Sequence, residues 1–207
     1  MKWFASILST LALVMLGVHG IALAKQIYGN NANNYLVGTN SWDTIFGRGG
    51  RDTIYGLGED DDLYGGDGGD KIYGGSGWDT IRGDDGPDYV EGNSGIDDIK
   101  GGYGNDTLSG GGGDDDIAGG YGDDVIRGGS YDDWLEGQNG RDKIYGNAGE
   151  DYIDAGSGSD YVYGGDDDDS IDTYGDGSKD YVYCGKGVDE VFADGWDYVS
   201  GDCEEVY

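Results

Sequence analysis

One period constrains this chain more than any other feature. From about Gly29 a nine-residue unit recurs, and its cleanest copy is Gly101-Gly102-Tyr103-Gly104-Asn105-Asp106-Thr107-Leu108-Ser109. Numbered from the first glycine, position six is Asp43, Asp52, Asp61, Asp70, Asp79, Asp88, Asp97, Asp106, Asp115, Asp124, Asp133, Asp142, Asp151, Asp160 and Asp169, fifteen copies without a gap. Position eight is aliphatic over the same span, from Ile45 and Ile54 to Val162 and Ile171. A fixed period decides architecture before local propensity does. Acidic residues are 43 of the 207, so fifteen matches in a row by composition alone has a chance of roughly 10⁻¹⁰.

Each unit divides in two. Positions one to six, rich in glycine and acid, read as a turn, because glycine supplies conformations that other residues avoid. Positions seven to nine alternate out, in, out, as a strand does. Three strand residues cannot bury a core alone, but stacked in parallel they align the position-eight aliphatics into a seam. The simplest closed path is two units per coil, giving an all-β parallel roll (a β-solenoid) with two facing sheets. Coils about 4.8 Å apart, eight or nine in number, predict a rod on the order of 40 Å. An 18-residue period follows on each face. Tyr55 and Tyr73, and later Tyr145 and Tyr163, should stack as outward ladders on one sheet, while the other carries Asp62, Asp98 and Asp116 and is more acidic.

The repeat weakens at both ends. Asn34 stands where the first Asp belongs, and after Asp169 the spacing slips to Asp180, Asp189 and Asp197. A stack needs atypical terminal units, so residues 25–46 read as an N-terminal cap, 47–172 as the regular roll and 173–207 as a C-terminal cap.

The formal net charge of −31, with 46 glycines, would by itself favour disorder, and it would repel a nucleic acid. Alternate position-six aspartates fall beside one another along two edges of the roll, Asp43 to Asp169 on one and Asp52 to Asp160 on the other. Carboxylates at coil spacing repel, so a bare stack should not form. A hard cation taking six to eight oxygens resolves this, and Ca²⁺ fits better than Mg²⁺, which demands rigid octahedral geometry. About a dozen ions between neighbouring turns, each with an Asp from either turn and backbone carbonyls, would offset most of the charge.

Residues 1–24 read as a leader: Lys2, an apolar run from Ile7 to Val18, and Ala22-Leu23-Ala24 as a cleavage site. Uncleaved, the same run is long enough to anchor in a bilayer. Without Lys2 the net charge becomes −32, and the loss of His19 leaves no histidine. That excludes Ser-His-Asp or Cys-His catalysis and histidine-ligated zinc. The expectation is a secreted, extracellular chain. Cys184 and Cys203, the two cysteines, then read as a disulfide about one coil apart, stabilising the C-terminal cap by about 3 kcal/mol.

The unit Gly-Gly-x-Gly-x-Asp-x-(aliphatic)-x resembles the RTX, or haemolysin-type, calcium-binding nonapeptide repeat. Residues 65–73, 74–82, 101–109, 110–118 and 119–127 match it in full. The resemblance implies a parallel β-roll with Ca²⁺ between turns that folds upon binding the ion. It carries to the fifteen aspartates, and by position to Asn34, Asp180, Asp189 and Asp197. Two departures stand out. The N-terminal leader implies Sec-type export rather than an uncleaved C-terminal signal, and residues 25–207 are taken up by repeats, so toxin or protease activity is not carried over.

The functional expectation is a structural or interaction module without catalysis. A carboxylate-pair glycosidase is the enzymatic competitor, but no unique acid pair stands out from the repeat. An adhesin-like, surface- or ice-binding module is the other, and it wants a regular Thr or Asn row that Thr44, Thr53, Thr80 and Thr107 do not form.

Overall fold

The computed structural model describes residues 24–207; the leader apart from Ala24, His19 included, lies outside the described residues. Twenty-one strands, from β1 (Lys25–Tyr28) and β2 (Tyr35–Val37) to β20 (Tyr198–Val199) and β21 (Glu205–Val206), alternate between two parallel sheets of eleven and ten strands. Odd strands form the β1 sheet and even strands the β2 sheet. No helix occurs among the described residues. Each strand pairs with the one 18 residues on, as in Thr107↔Val125 and Leu108↔Ile126, so two nine-residue units make one coil. The roll has about ten coils, not eight or nine. Both end segments pair into the sheets, the last coils through a 20-residue register such as Val162↔Val182.

Most strands are longer than three residues. β10 (Thr107–Gly112) and most others run six residues, from position seven of one unit through position three of the next. Pairing continues across the glycines, which carry no side chain to obstruct it. Position two then takes a positive φ, whether glycine (Gly111, 121°) or not (Asn93, 79°; Gln138, 69°). The corner shrinks to positions four to six. There the coils nearly touch: a Cβ on Gly104 would lie 2.0 Å from the Gly86 carbonyl oxygen of the preceding coil. Tyr131, Glu59 and Asp167 occupy this position with φ between 63° and 80°, a region that costs an L-residue energy.

Three positions of each unit face inward: the aspartate at six, the aliphatic at eight and the glycine at one. The position-eight residues from Ile45 to Ile171, with Val182 and Val191, are fully buried in one continuous cluster. The disulfide between Cys184 and Cys203 is present, with Cα atoms 5.2 Å apart, inside the range such a bridge requires. Cys184 sits in the core and ties β18 (Tyr181–Lys186) to the segment before β21.

The tyrosine ladders form as the period predicts. Tyr55 stacks on Tyr73 and Tyr145 on Tyr163, with ring centroids 4.8 and 4.9 Å apart. On the other sheet Phe46 stacks on Tyr64.

Because the seam is one residue wide, its members cannot substitute for one another. Leu108→Ala is expected to lower stability by about 2–5 kcal/mol, whereas Trp78→Ala, at a side chain 65% exposed, should stay within about 0.5 kcal/mol. Thermal unfolding in excess Ca²⁺ checks the pair.

A buried aspartate ladder as candidate metal centre

Position six places its side chain inside the roll rather than on its rim. All fifteen expected aspartates are at most 3% exposed, and Asp180 and Asp189 join them. Seventeen buried aspartates therefore share the interior with nineteen buried apolar residues. A buried charge is tolerated only when paired or coordinated, and apolar burial on this scale cannot outweigh so many.

The two oxygens of each carboxylate have different fates. Oδ1 accepts the backbone N–H of the aspartate one coil earlier: Asp88 donates to Asp106 at 2.8 Å and Asp106 to Asp124 at 2.7 Å. Two such ladders run the length of the roll. One goes from Lys25 through Asp43 and Asp61 to Asp169 and Asp189, and the other from Asn34 through Asp52 to Asp160 and Asp180. Oδ2 is different. From Asp52 to Asp189 it is buried without any hydrogen-bond partner, against the rule that buried polar atoms find one.

Oδ2 shares its corner with another oxygen. A Cβ on Gly101 would meet Asp106 Oδ2 at 2.4 Å and the Gly119 carbonyl oxygen at 2.5 Å. The same pair, own-turn Oδ2 and next-coil carbonyl, converges on Gly47, Gly56, Gly74 and Gly83. Position one is glycine because these oxygens occupy the place of a side chain. Oxygens facing oxygens with no donor between them make a donor set for a hard cation. Among the described residues no three acidic, histidine or cysteine side chains come together, so a cation here needs backbone carbonyls to complete its shell.

The ends depart from the pattern. Asn34 Oδ1 accepts its own turn's Asn30 N–H at 2.7 Å. In Asp43 the second oxygen accepts the Thr39 N–H. Asp197 accepts from Asp180 N–H, Thr173 Oγ1 and Asp194 N–H at 2.9–3.1 Å, so its carboxylate closes the end of a ladder instead of leaving an oxygen free.

An outer ladder was hidden from the sequence. At position five, Asn33, Asp60, Asn105, Asp123 and Asp132 each accept the backbone N–H of the residue 18 positions on. It runs opposite to the inner ladder, and its only sequence signal is a loose enrichment in Asx at a position shared with Trp42, Pro87 and Ile96.

Burial pushes the inner carboxyls far above their ordinary range. It dominates at Asp88 and Asp133, raised to about 8 although a neighbouring amide N–H pulls the other way. Asp79, Asp115 and Asp142 rise to about 7, and Asp97 and Asp106 to about 6, with the same leading cause. Without a cation, the folded chain thus holds more protons than the unfolded chain between about pH 4 and pH 8. Its stability is present at the acid end of that window and is lost as pH rises. In EDTA, sheet ellipticity should be greater at pH 5 than at pH 8. Ca²⁺ affinity should run the opposite way, falling from pH 8 to pH 5 as protons compete for the carboxylates. Circular dichroism and calorimetric titration at each pH check both signs.

No curated protein matches the chain. The family described as RTX calcium-binding nonapeptide repeat (4 copies) matches residues 28–63, 55–90, 91–126, 118–153 and 145–173. These stretches take in both aspartate ladders up to Asp169 and every full copy of the nine-residue motif. With the matched stretches, the two-unit coil and the oxygen-lined corners all in agreement, this chain belongs to the RTX calcium-binding nonapeptide repeat family.

Proposed function

We propose that the protein is an exported calcium-folded β-roll, a structural or interaction module without catalysis. In this reading residues 1–24 are removed after Ala24, residues 25–46 and 173–207 cap the ends, and residues 47–172 hold most of the metal. Ca²⁺ lies between successive turns along both edges, about a dozen ions in all, held by Asp52 to Asp169 and by backbone carbonyls, with Asp43, Asp180 and Asp189 at the margins.

One observation carries the proposal: in coil after coil a buried carboxylate oxygen without a hydrogen-bond partner converges with a carbonyl oxygen of the next coil on the same position-one glycine. Among the described residues no hydrogen-bond donor reaches it, and the described basic residues in ion pairs, Lys100, Arg141 and Lys186, lie on the exterior. The disulfide supports an oxidising compartment. Catalysis draws no support, since from Asp52 to Asp169 the inward aspartates repeat one environment and none is set apart for acid or base work. The ice-binding alternative also lacks its flat, uniform row: one outward column reads Thr53, Lys71, Tyr89, Thr107.

Ca²⁺ binding and folding are then one equilibrium. In EDTA at pH 8 the chain is expected to lose its sheet ellipticity and recover it when Ca²⁺ is restored at 10⁻⁴–10⁻³ M, the range of extracellular modules. A sheet signal indifferent to both overturns the reading. Asp106→Asn, which keeps the shape but removes one charge from the middle of a ladder, should lower the measured ion stoichiometry by one or two. It should also shift the Ca²⁺ midpoint upward by about tenfold, because ligand charge tunes such sites.

A further inference from the structure

The two broad faces differ in a way that calcium folding does not require. Near the C-terminal end of the β1 sheet, three outward carboxylates stand in register, Glu136 beside Asp154 and Asp154 beside Asp172. Like charges directly opposite on neighbouring strands destabilise a sheet. Burial raises the Asp154 carboxyl, and both Asp172 and Glu136 push it further. Their hydrogen bonds are local only: Glu136 accepts from Trp134 and Gln138, Asp154 from the Gly156 N–H and Asp172 from the Tyr174 N–H. Among the described residues no ion pair includes any of the three.

The opposite face at the same end carries aromatic columns without such a carboxylate row. Tyr145, Tyr163 and Tyr183 form one column with centroids 4.9 and 5.0 Å apart, and Tyr161 and Tyr181 form a second at 4.8 Å. Interplanar angles of 4–8° mean that the rings cover one another's faces, so edges and hydroxyls are what each column presents outward. Cations flank the columns: Arg127 lies over Tyr145 and Lys179 over Tyr181. From β10 to β20 the outward positions seven and nine of this sheet carry no carboxylate. Asp166, at position three, is taken by Lys186.

We propose that this tyrosine face docks on the carboxylate face of a second copy of the chain, the two rolls lying side by side with axes aligned. Both faces repeat at the coil spacing, about 4.8 Å, so each step along the axis brings a phenolic O–H to a carboxylate. A hydrogen bond to an ionised acceptor is among the stronger ones, and the flanking cations add charge complementarity. A sugar chain that binds by ring stacking needs open aromatic faces, which mutual stacking of the tyrosines covers. The contact joins two different faces, so each added copy still presents both, and rolls associate into rows rather than closed pairs.

Sedimentation velocity on the calcium-loaded chain tests this. The sedimentation coefficient is expected to rise with protein concentration and to fall back on adding salt. Two double variants separate the faces: Asp154→Asn with Asp172→Asn, and Tyr163→Phe with Tyr183→Phe. Each alone should weaken self-association by about tenfold or more, with circular dichroism and Ca²⁺ stoichiometry unchanged from the parent. Mixed together they should form a complex limited to two copies, because each supplies the face the other lacks. A parent monomeric at every concentration, association that survives both variants, or a mixture that stays monomeric overturns the proposal. So does association that appears only when a soluble polysaccharide is added.

Discussion

The structure depends on how a buried carboxylate is shared between two coils. In each turn one aspartate enters the interior beside one aliphatic side chain and one glycine. Its first oxygen takes the amide of the coil before it, as Asp106 does from Asp88. Its second faces a carbonyl oxygen of the coil after it. The first contact sets the coils in register, and the second leaves negative charge with no donor. An apolar seam one residue wide is too small to offset sixteen such groups. Calcium, which the repeat family binds, is the counter-charge proposed for the corners, and in that reading metal affinity and folding stability are two readings of the same free energy.

Glycine works on the same geometry from the backbone side. At position one it leaves room for the converging oxygens, and at position four it lets successive corners approach until Gly104 has no space for a Cβ. The units that break this rule at position four do so by taking a left-handed φ, as at Glu59 and Tyr131. They show that the roll tolerates local strain where neighbouring coils hold the corner in place.

The outward positions answer to none of this. They are free to differ between faces, and they do: both sheets carry aromatic stacks, but the row Glu136, Asp154 and Asp172 stands on the β1 sheet alone. Stacked rings at 4.8–5.0 Å add aromatic contact beyond area burial and also decide which part of each tyrosine meets solvent.

Much of this was legible in residue order. The unbroken run of aspartates and the aliphatics two places on predicted parallel coils of two units, the tyrosine ladders and a calcium-binding repeat, and the spacing of the two cysteines predicted the Cys184–Cys203 bridge. Other features were not. Reading positions one to six as a turn missed that strands run on through Gly110 and Gly111 to position three, because whether a glycine pairs depends on a neighbour 18 residues away. Placing the aspartates along the edges missed that they point inward. Asp197 looked like one more repeat, yet its oxygens are taken up by Asp180, Thr173 and Asp194. The sequence by itself determined the period, the coil and the need for a counter-charge, since these follow from spacing and residue type alone. Only the tertiary structure decided which oxygen of each aspartate is spoken for and which faces stand back to back, since both depend on contacts made across coils once the chain has wound.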